Sequence, residues 1–483
     1  MNPITIPNIS IPTIGIPTIG IPSVGFPSAS GGGSLSWPAG MKEHIKAWYD
    51  PKKQGMTNFD VIESYAEDFT ASKWVTVQDR AVFTKTASKI HITESLSDGF
   101  NTTFIETSQS RYGNEMKINV SGIVAGGVTL KYRYGSYEEV VDITSNGVYT
   151  LPAGKAGTNP NGYNGFVMKA KGKCDITITQ LPTSILKDFS GNGNHAYLYG
   201  GKGKLNSGMG VYKQDYTTYK NDGNTNVEDV KPDTFVLLAG NLSRLGMPYK
   251  DIVGENIPAY KINVTGITDG TVTYFYRNED GKQLQYVIKS DGEYELPTCY
   301  REGTEGTAVN IVANNNSNKI TITQIPDYPD QLCYDGKMYA VCYGFPILTD
   351  YTVMAERTWF EKEEYSAFIS NSLGGMEEPG NGAFSVELKS LNSFTTISFG
   401  SITSIGIPEK GITYQTKQSY NGNSINVGTK ESNDILILGG RYFYKNGNVA
   451  GNTWTGCHGT IIIADRSFTE EEINWLKQNW DKI

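Results

Sequence analysis

The chain has 483 residues, 19% of them charged, with 54 glycines, 30 tyrosines and a formal net charge of -8. That length leaves room for about two to four domains, and abundant Gly, Tyr, Thr, Ser and Asn suit short strands joined by tight turns. The negative balance gives no electrostatic case for nucleic acid or anionic membranes as partners, since phosphate binding needs a concentrated basic surface, and no apolar run approaches the ~20 residues of a membrane span.

The chain opens on a repeat of period five: Ile6-Pro7-Asn8-Ile9-Ser10, Ile11-Pro12-Thr13-Ile14-Gly15, Ile16-Pro17-Thr18-Ile19-Gly20, Ile21-Pro22-Ser23-Val24-Gly25, then Phe26-Pro27. Proline every fifth residue forbids helix and removes sheet donors, so an extended backbone is expected. At roughly 3.1–3.3 Å per residue the repeat would reach about 70 Å. A lone extended strand cannot bury Ile6, Ile9, Ile11, Ile14, Ile16, Ile19, Ile21, Val24 and Phe26. These nine are therefore expected to bundle with other copies or to dock into another protein. Ser28 to Ser34 is small and flexible, a joint after an anchor. The N-terminus lacks the basic segment and continuous apolar core of a secretory signal, so display outside a cell would need another route, such as release of assembled particles by lysis.

Beyond Met41, Lys42 to Trp48 is expected to form a short helix ended by Pro51 and Gly55. Two related blocks follow. Lys117–Ile123, Val128–Tyr132, Gly147–Pro152 and Ile176–Pro182 recur in the same order as Lys261–Ile267, Val272–Tyr276, Gly292–Pro297 and Ile320–Pro326, offset by 144 residues at three anchors and 145 at the other. Only a duplicated unit plausibly keeps that spacing. Each anchor alternates apolar and polar residues, which predicts two small antiparallel sandwiches or jelly rolls. Two copies are too few for a solenoid.

Leu186 to Gly200 lies between the two blocks and resembles neither. Asp188, Ser190, Gly191, Asn192, Gly193 and Asn194 make a dense turn signal, and His195 to Tyr199 then alternates as a short strand. This D-x-S-G-N-G-N-H run resembles the first turn of the laminin-G/concanavalin A-like β-sandwich. The resemblance continues at Tyr334-Asp335-Gly336-Lys337-Met338-Tyr339 and at Tyr351 to Arg357, and closes at Ile461 to Ile473, similar to the final strand and short helix of that family. The opening Trp48-Tyr49-Asp50, Gln54-Gly55 and Thr57-Asn58 resembles segments that precede such modules in proteins of gut Bacteroidales and their phages.

The expected fold class is all-β: a discontinuous concanavalin A-like/laminin-G β-sandwich (jelly roll), carrying two inserted, mutually homologous β-sandwich domains and an extended Pro/Ile-repeat anchor. Its expected division is an anchor and linker over 1–40; the sandwich over 41–68, 184–224 and 327–483; inserted copy 1 over 69–183; and inserted copy 2 over 225–326.

Chemistry-bearing patterns are sparse. The four histidines His44, His91, His195 and His458 show no metal-ligand spacing, and Asp222 to Asn226 starts like a calcium loop but has Val227 where glycine is required. Glu470-Glu471-Glu472 stands at an expected helix start, where carboxylates favour the dipole. The five cysteines, Cys174, Cys299, Cys333, Cys342 and Cys457, are odd in number and widely spaced, which favours free core thiols over a disulfide framework. No cofactor, metal or catalytic set is expected, and the sugar-cleaving relatives' E-x-D-x-x-E strand is absent, so the chain is expected not to be an enzyme. The resemblance implies a sugar- or protein-binding sandwich. Tyr442, Tyr444, Asn446 and Trp454, in the loop-rich stretch 439–454, are the candidate carbohydrate platform, since aromatic faces stack on sugar CH groups and amides bond hydroxyls; core and turn roles are the plainer reading of each. The whole resembles head or tail fibres of crAss-like phages: a virion-surface appendage, a homo-oligomer (trimer), held to capsid or other virion proteins by its N-terminus and binding a host or mucus glycan. The alternative is a glycan-processing enzyme or a bacterial cell-surface lectin with accessory β-modules.

Overall fold

Asp188 ties together two stretches of chain that are distant in sequence. The structure is a computed structural model that describes residues 35–76, 82–94, 101–107, 113–124, 128–135, 138–155, 164–170, 174–203, 206–219, 225–248, 251–252, 256–301, 308–361, 363–372, 381–390, 393–406, 410–443, 448–451 and 453–483. One Asp188 oxygen accepts the amides of Trp48 at 2.9 Å and Ser190 at 2.8 Å. The other accepts the Ser190 hydroxyl at 2.8 Å and the Asn194 amide at 3.0 Å. Asn194 Nδ2 then donates to the Lys46 carbonyl at 2.7 Å, and the Tyr49 hydroxyl donates back to the Asn194 carbonyl at 2.6 Å. Gly191 and Gly193 sit at φ +90° and +78°, the left-handed region this tight turn needs. The short strands on either side, Ile185–Leu186 and Ala196–Tyr199, pair with each other, and Ala196–Tyr199 also pairs with Tyr339–Tyr343. The stretch thus belongs with strands beyond Tyr334 and with neither repeat.

It enters an eight-stranded sheet, ordered Ile185–Leu186, Ala196–Tyr199, Tyr339–Tyr343, Ile435–Leu438, Ala367–Ser370, Phe384–Ser390, Ser393–Ser398, Ser401–Ile405. The other eight-stranded sheet is built around Thr455–Ala464, flanked by Thr352–Trp359 on one edge and by both Leu332–Asp335 and Ile45–Tyr49 on the other. Inward residues of both sheets share one core: Ala47, Tyr49, Val353, Ala355, Ile461 and Ile463 against Leu198, Ala340, Phe384, Val386, Leu436 and Leu438. Thr455–Ala464 is buried along its whole length, because its outward face is covered as well. There Trp48, Met354 and Ile462 pack against Ile473, Leu476 and Trp480 of the C-terminal segment. A strand buried on both faces reads as a continuous apolar run rather than an alternating one, as Ile461-Ile462-Ile463-Ala464 does.

The expected helix over Lys42 to Trp48 is corrected by the structure. Lys42–His44 makes a single 3-10 turn, Ile45–Tyr49 is a strand, and the α-helix is Pro51–Gln54. The sheet wins because Ala47 and Tyr49 alternate into the core while Trp48 faces the C-terminal helix. Pro51 begins a helix instead of ending one: Asp50 caps it by accepting the Lys53 amide, and Gly55 closes it at φ +64°. Glu470–Asn479 starts as expected, with Thr469 and Glu472 forming a reciprocal capping box.

The two repeats have matching strand orders. In the first, Val82–Lys85, Lys89–Glu94, Cys174–Gln180, Met116–Ser121 and Gly147–Leu151 form one sheet. Asn101–Thr107, Gly165–Ala170, Val128–Arg133 and Val140–Ile143 run in order through the other, with Trp74–Thr76 added at its edge. In the second, Val227–Glu228, Thr234–Leu237, Ile320–Ile325, Tyr260–Thr265 and Gly292–Leu296 oppose Ser243–Pro248, Ala308–Asn314, Thr271–Arg277 and Gln283–Ile288. Each pair of sheets encloses its own apolar core.

Likeness extends to side chains. Tyr149 and Tyr294 each donate to the carbonyl four residues back, at 2.7 and 2.8 Å. Buried Gln180 clamps Glu67, accepting its amide and donating to its carbonyl, both at 2.8 Å. Gln324 does the same at the entry to the second repeat, accepting the Gln214 amide at 3.0 Å and donating to its carbonyl at 2.9 Å. Gln180→Ala or Gln324→Ala strands a buried amide and carbonyl, so each is expected to cost about 2 kcal/mol. Denaturant titration of the two variants checks this.

Candidate functional site

The edge of Thr455–Ala464 changes partner part-way along. Leu332 pairs with His458 and Tyr49 with Ile461, so Gly459 and Thr460 lie in the seam between two partner strands. On the opposite edge the register slips: Ala355 faces Ile461 but Arg357 faces His458, which sets two residues against Glu356. Such a bulge re-aims a side chain. Arg357 is 1% exposed and donates to the Tyr420 hydroxyl at 2.6 Å within the core, whereas Glu356 borders a cavity above the seam. Gly459 makes room for it, since a Cβ there would lie 2.6 Å from Glu356 Oε2.

The cavity holds about 490 Å³, and its polar lining includes Asp50, Gln331, Glu356, Thr460, Trp480 and Asp481. Asp50 is brought by the first strand and fixed twice, by the Lys53 amide at 2.8 Å and by the Thr460 hydroxyl at 3.1 Å. Gln331 Nε2 donates to Glu356 Oε1 at 3.2 Å. Burial pushes the Glu356 carboxyl up from its ordinary range; the Trp480 indole N–H and Lys410 partly oppose this, while Asp481 and Asp50 add to it. Trp480 is only 5% exposed, and its indole N–H is directed at the Glu356 carboxylate at the cavity wall. The site therefore offers carboxylate acceptors in different electrostatic settings and an aromatic wall. Among the described residues no group of three or more His, Cys, Asp or Glu is arranged to hold a metal ion.

The candidate carbohydrate platform is corrected at Trp454. That side chain is fully buried, with ring centroids 4.9 Å from Phe368, 5.3 Å from Tyr334 and 5.6 Å from Trp359. A ring surrounded by three others has no face left for a sugar. Tyr442 lies in the strand Arg441–Phe443, and Tyr444 and Asn446 are outside the described residues, as are Ile6, Ile9, Ile11, Ile14, Ile16, Ile19, Ile21, Val24, Phe26 and, of the calcium-loop-like stretch, Asp222, Gly223 and Asn224. All five cysteines are buried and free. No helix among the described residues is long and apolar enough to cross a membrane. Asp50 and Glu356 carried no chemical signal in the sequence beyond their places in strand-like motifs.

His458, beside the seam, is wholly buried, and burial holds its pKa down to about 4. It bonds the Tyr334 hydroxyl through Nε2 at 3.0 Å and the Gly459 carbonyl through Nδ1 at 2.7 Å, which suits the neutral ring with its proton on Nδ1. The unfolded chain takes up this proton near pH 6.5, before the folded one does. Stability present above that pH is therefore expected to fall by roughly 3 kcal/mol as pH drops towards about 4. Denaturation of His458→Gln between pH 7 and 4 should show a flatter profile.

No family model and no curated protein matches the chain. Among solved structures it is similar to Trypanosoma rangeli sialidase in complex with sialic acid, at 9% identity over 87% of this chain and 86% of that one, with a TM-score of 0.24. The same enzyme with a difluorosialic acid covalent intermediate matches at 10% identity over 88% and 90%, with a TM-score of 0.23. Vicilin from Corylus avellana matches at 10% identity over 52% of this chain and 86% of that one, with a TM-score of 0.11. The first of these matching structures are sialidases, which are enzymes, and this stands against the expectation that the chain is not one. At such scores no catalytic residue is carried from them to this chain.

Proposed function

We propose that the chain recognises glycans at the acid-walled cavity over Gly459 and Thr460. The observation that carries this reading is the convergence of Asp50, Glu356 and Asp481 beside the buried Trp480 indole in a cavity of about 490 Å³, a size that suits a small ligand. Carboxylates accept sugar hydroxyls, and the indole adds an apolar wall. The acids of the lining, Asp50, Asp330, Glu356 and Asp481, outnumber its bases, Lys52 and Lys53, so the net field disfavours an anion and neutral or amino glycans fit better than sialylated ones. The supporting body is read as a concanavalin A-like/laminin-G sandwich bearing two jelly rolls. The matching strand orders of the repeats and the placement of Leu186–Gly200 support that assignment. Its setting is a virion surface, with residues 1–40 as anchor and a trimer as the assembled form.

Cleavage of the bound glycan at this cavity is the second reading. It is favoured by the raised carboxyl of Glu356 beside the fixed carboxylate of Asp50, a pair able to divide acid and base roles. A glycan array probed with the full chain is expected to retain neutral or amino glycans and reject sialylated ones; binding of sialylated glycans alone overturns the proposal. Reducing-sugar release from the retained glycans separates binder from hydrolase, and mass spectrometry of purified particles tests the virion setting.

A further inference from the structure

We infer that Cys333 and Cys457 are a site of oxidative cross-linking, a thiol pair poised to close a disulfide across the seam-bearing sheet. Leu332–Asp335 and Thr455–Ala464 are antiparallel, and their register sets Cys333 directly opposite Cys457. Leu332 and Tyr334 point into the shared core, so the two thiols point outward together. There they form a small buried cluster with Val211, against which the partly buried Tyr328 and Phe360 pack. Both sulfurs also use one residue: Cys457 Sγ donates to Gln331 Oε1 at 2.9 Å, and Cys333 Sγ to the Gln331 carbonyl at 3.7 Å. Directly opposed residues of an antiparallel pair carry Cβ atoms about 4.5–5.5 Å apart. A disulfide needs about 3.8 Å, so an approach of roughly 1 Å closes the bond.

The other three cysteines have no such partner in their ladders. Cys174 faces Glu94, Cys299 faces Ile257 and Cys342 faces Leu436. The odd count thus resolves into three dispersed thiols and one opposed pair. Burial and the neighbouring thiol raise Cys333 well above the ordinary thiol range, which makes that thiol slow to react in the closed protein. The Tyr328 and Phe360 rings, 5.0 Å apart, are the cover that must part to admit an oxidant. In the reaction two S–H bonds break and one S–S bond forms, and two electrons and two protons pass to a small azo oxidant, leaving a hydrazine. Loss of the Cys457 S–H also removes the donor to Gln331, whose amide holds Glu356. Any effect on ligand rests on the cavity reading above; the cross-link does not.

The test exposes the full chain to diamide, then denatures it, alkylates free thiols and maps peptides by mass spectrometry. Three alkylated cysteines and one linked peptide pair joining Cys333 to Cys457 are expected, with the melting midpoint of the oxidised chain raised by several degrees. Cys333→Ala and Cys457→Ala are expected to leave their four remaining cysteines alkylated and to show no shift. Five alkylated cysteines after prolonged oxidation just below the melting transition overturn the proposal, as does a link through any other cysteine. The wild-type map decides the matter even where a variant folds poorly.

Discussion

Trp454→Ala is expected to destabilise the two-sheet body by about 3–5 kcal/mol, the range for deleting a large buried aromatic, and to lower its melting midpoint by on the order of 10 °C. The indole is fully buried among Tyr334, Trp359 and Phe368, and the chain around it is shaped to receive the rings. A Cβ at Gly456 would lie 2.3 Å from the Trp454 ring, and one at Gly439 would lie 2.4 Å from the Tyr334 ring. No side chain could replace either glycine without moving an aromatic. Trp454→Phe keeps part of the packing and should lose clearly less. Differential scanning calorimetry of both variants is the check. A loss of glycan binding with unchanged melting would instead return Trp454 to the surface role that its sequence context implied.

That context explains what sequence reasoning reached and what it missed. The turn at Asp188 was legible because Asx and glycine chemistry is local: the residues that signal the turn are the ones that make its hydrogen bonds. The duplication was legible because spacing survives where side chains diverge, and Gln180 and Gln324 show that even a clamp was kept. The stretch 439–454 reads as loop-rich, whereas Gly439 and the nearby Gly456 make way for rings. The short helix assigned to Lys42–Trp48 failed because tertiary pairing with Ile461–Ala464 outweighed a weak local preference. The cavity was illegible for a different reason. Asp50 and Thr460 are 410 residues apart in sequence, and Glu356 reaches them only through a register slip that no residue pattern announces.

Glu356→Gln is expected to weaken glycan binding at neutral pH by about tenfold to a hundredfold, the worth of one hydrogen bond to a charged acceptor. The same change should make the protein more stable at neutral pH. Burial, Asp481 and Asp50 all raise the Glu356 pKa, so the folded protein holds its proton to higher pH than the unfolded chain does. Such a carboxylate costs stability above its raised pKa, and the cost disappears as pH falls below the ordinary value. Glutamine removes the charge, so the gain should be present at pH 7 and absent near pH 4. A residue retained only for packing would not combine weaker binding with a pH-dependent gain in stability; a group held under strain for its ligand would. Gly459→Ala should reproduce the binding loss without the gain, because its Cβ would meet Glu356 Oε2 at 2.6 Å and displace the carboxylate while leaving it charged. Paired binding and melting curves at the two pH values decide the assignment. Unchanged affinity in Glu356→Gln would remove this carboxylate from the recognition site.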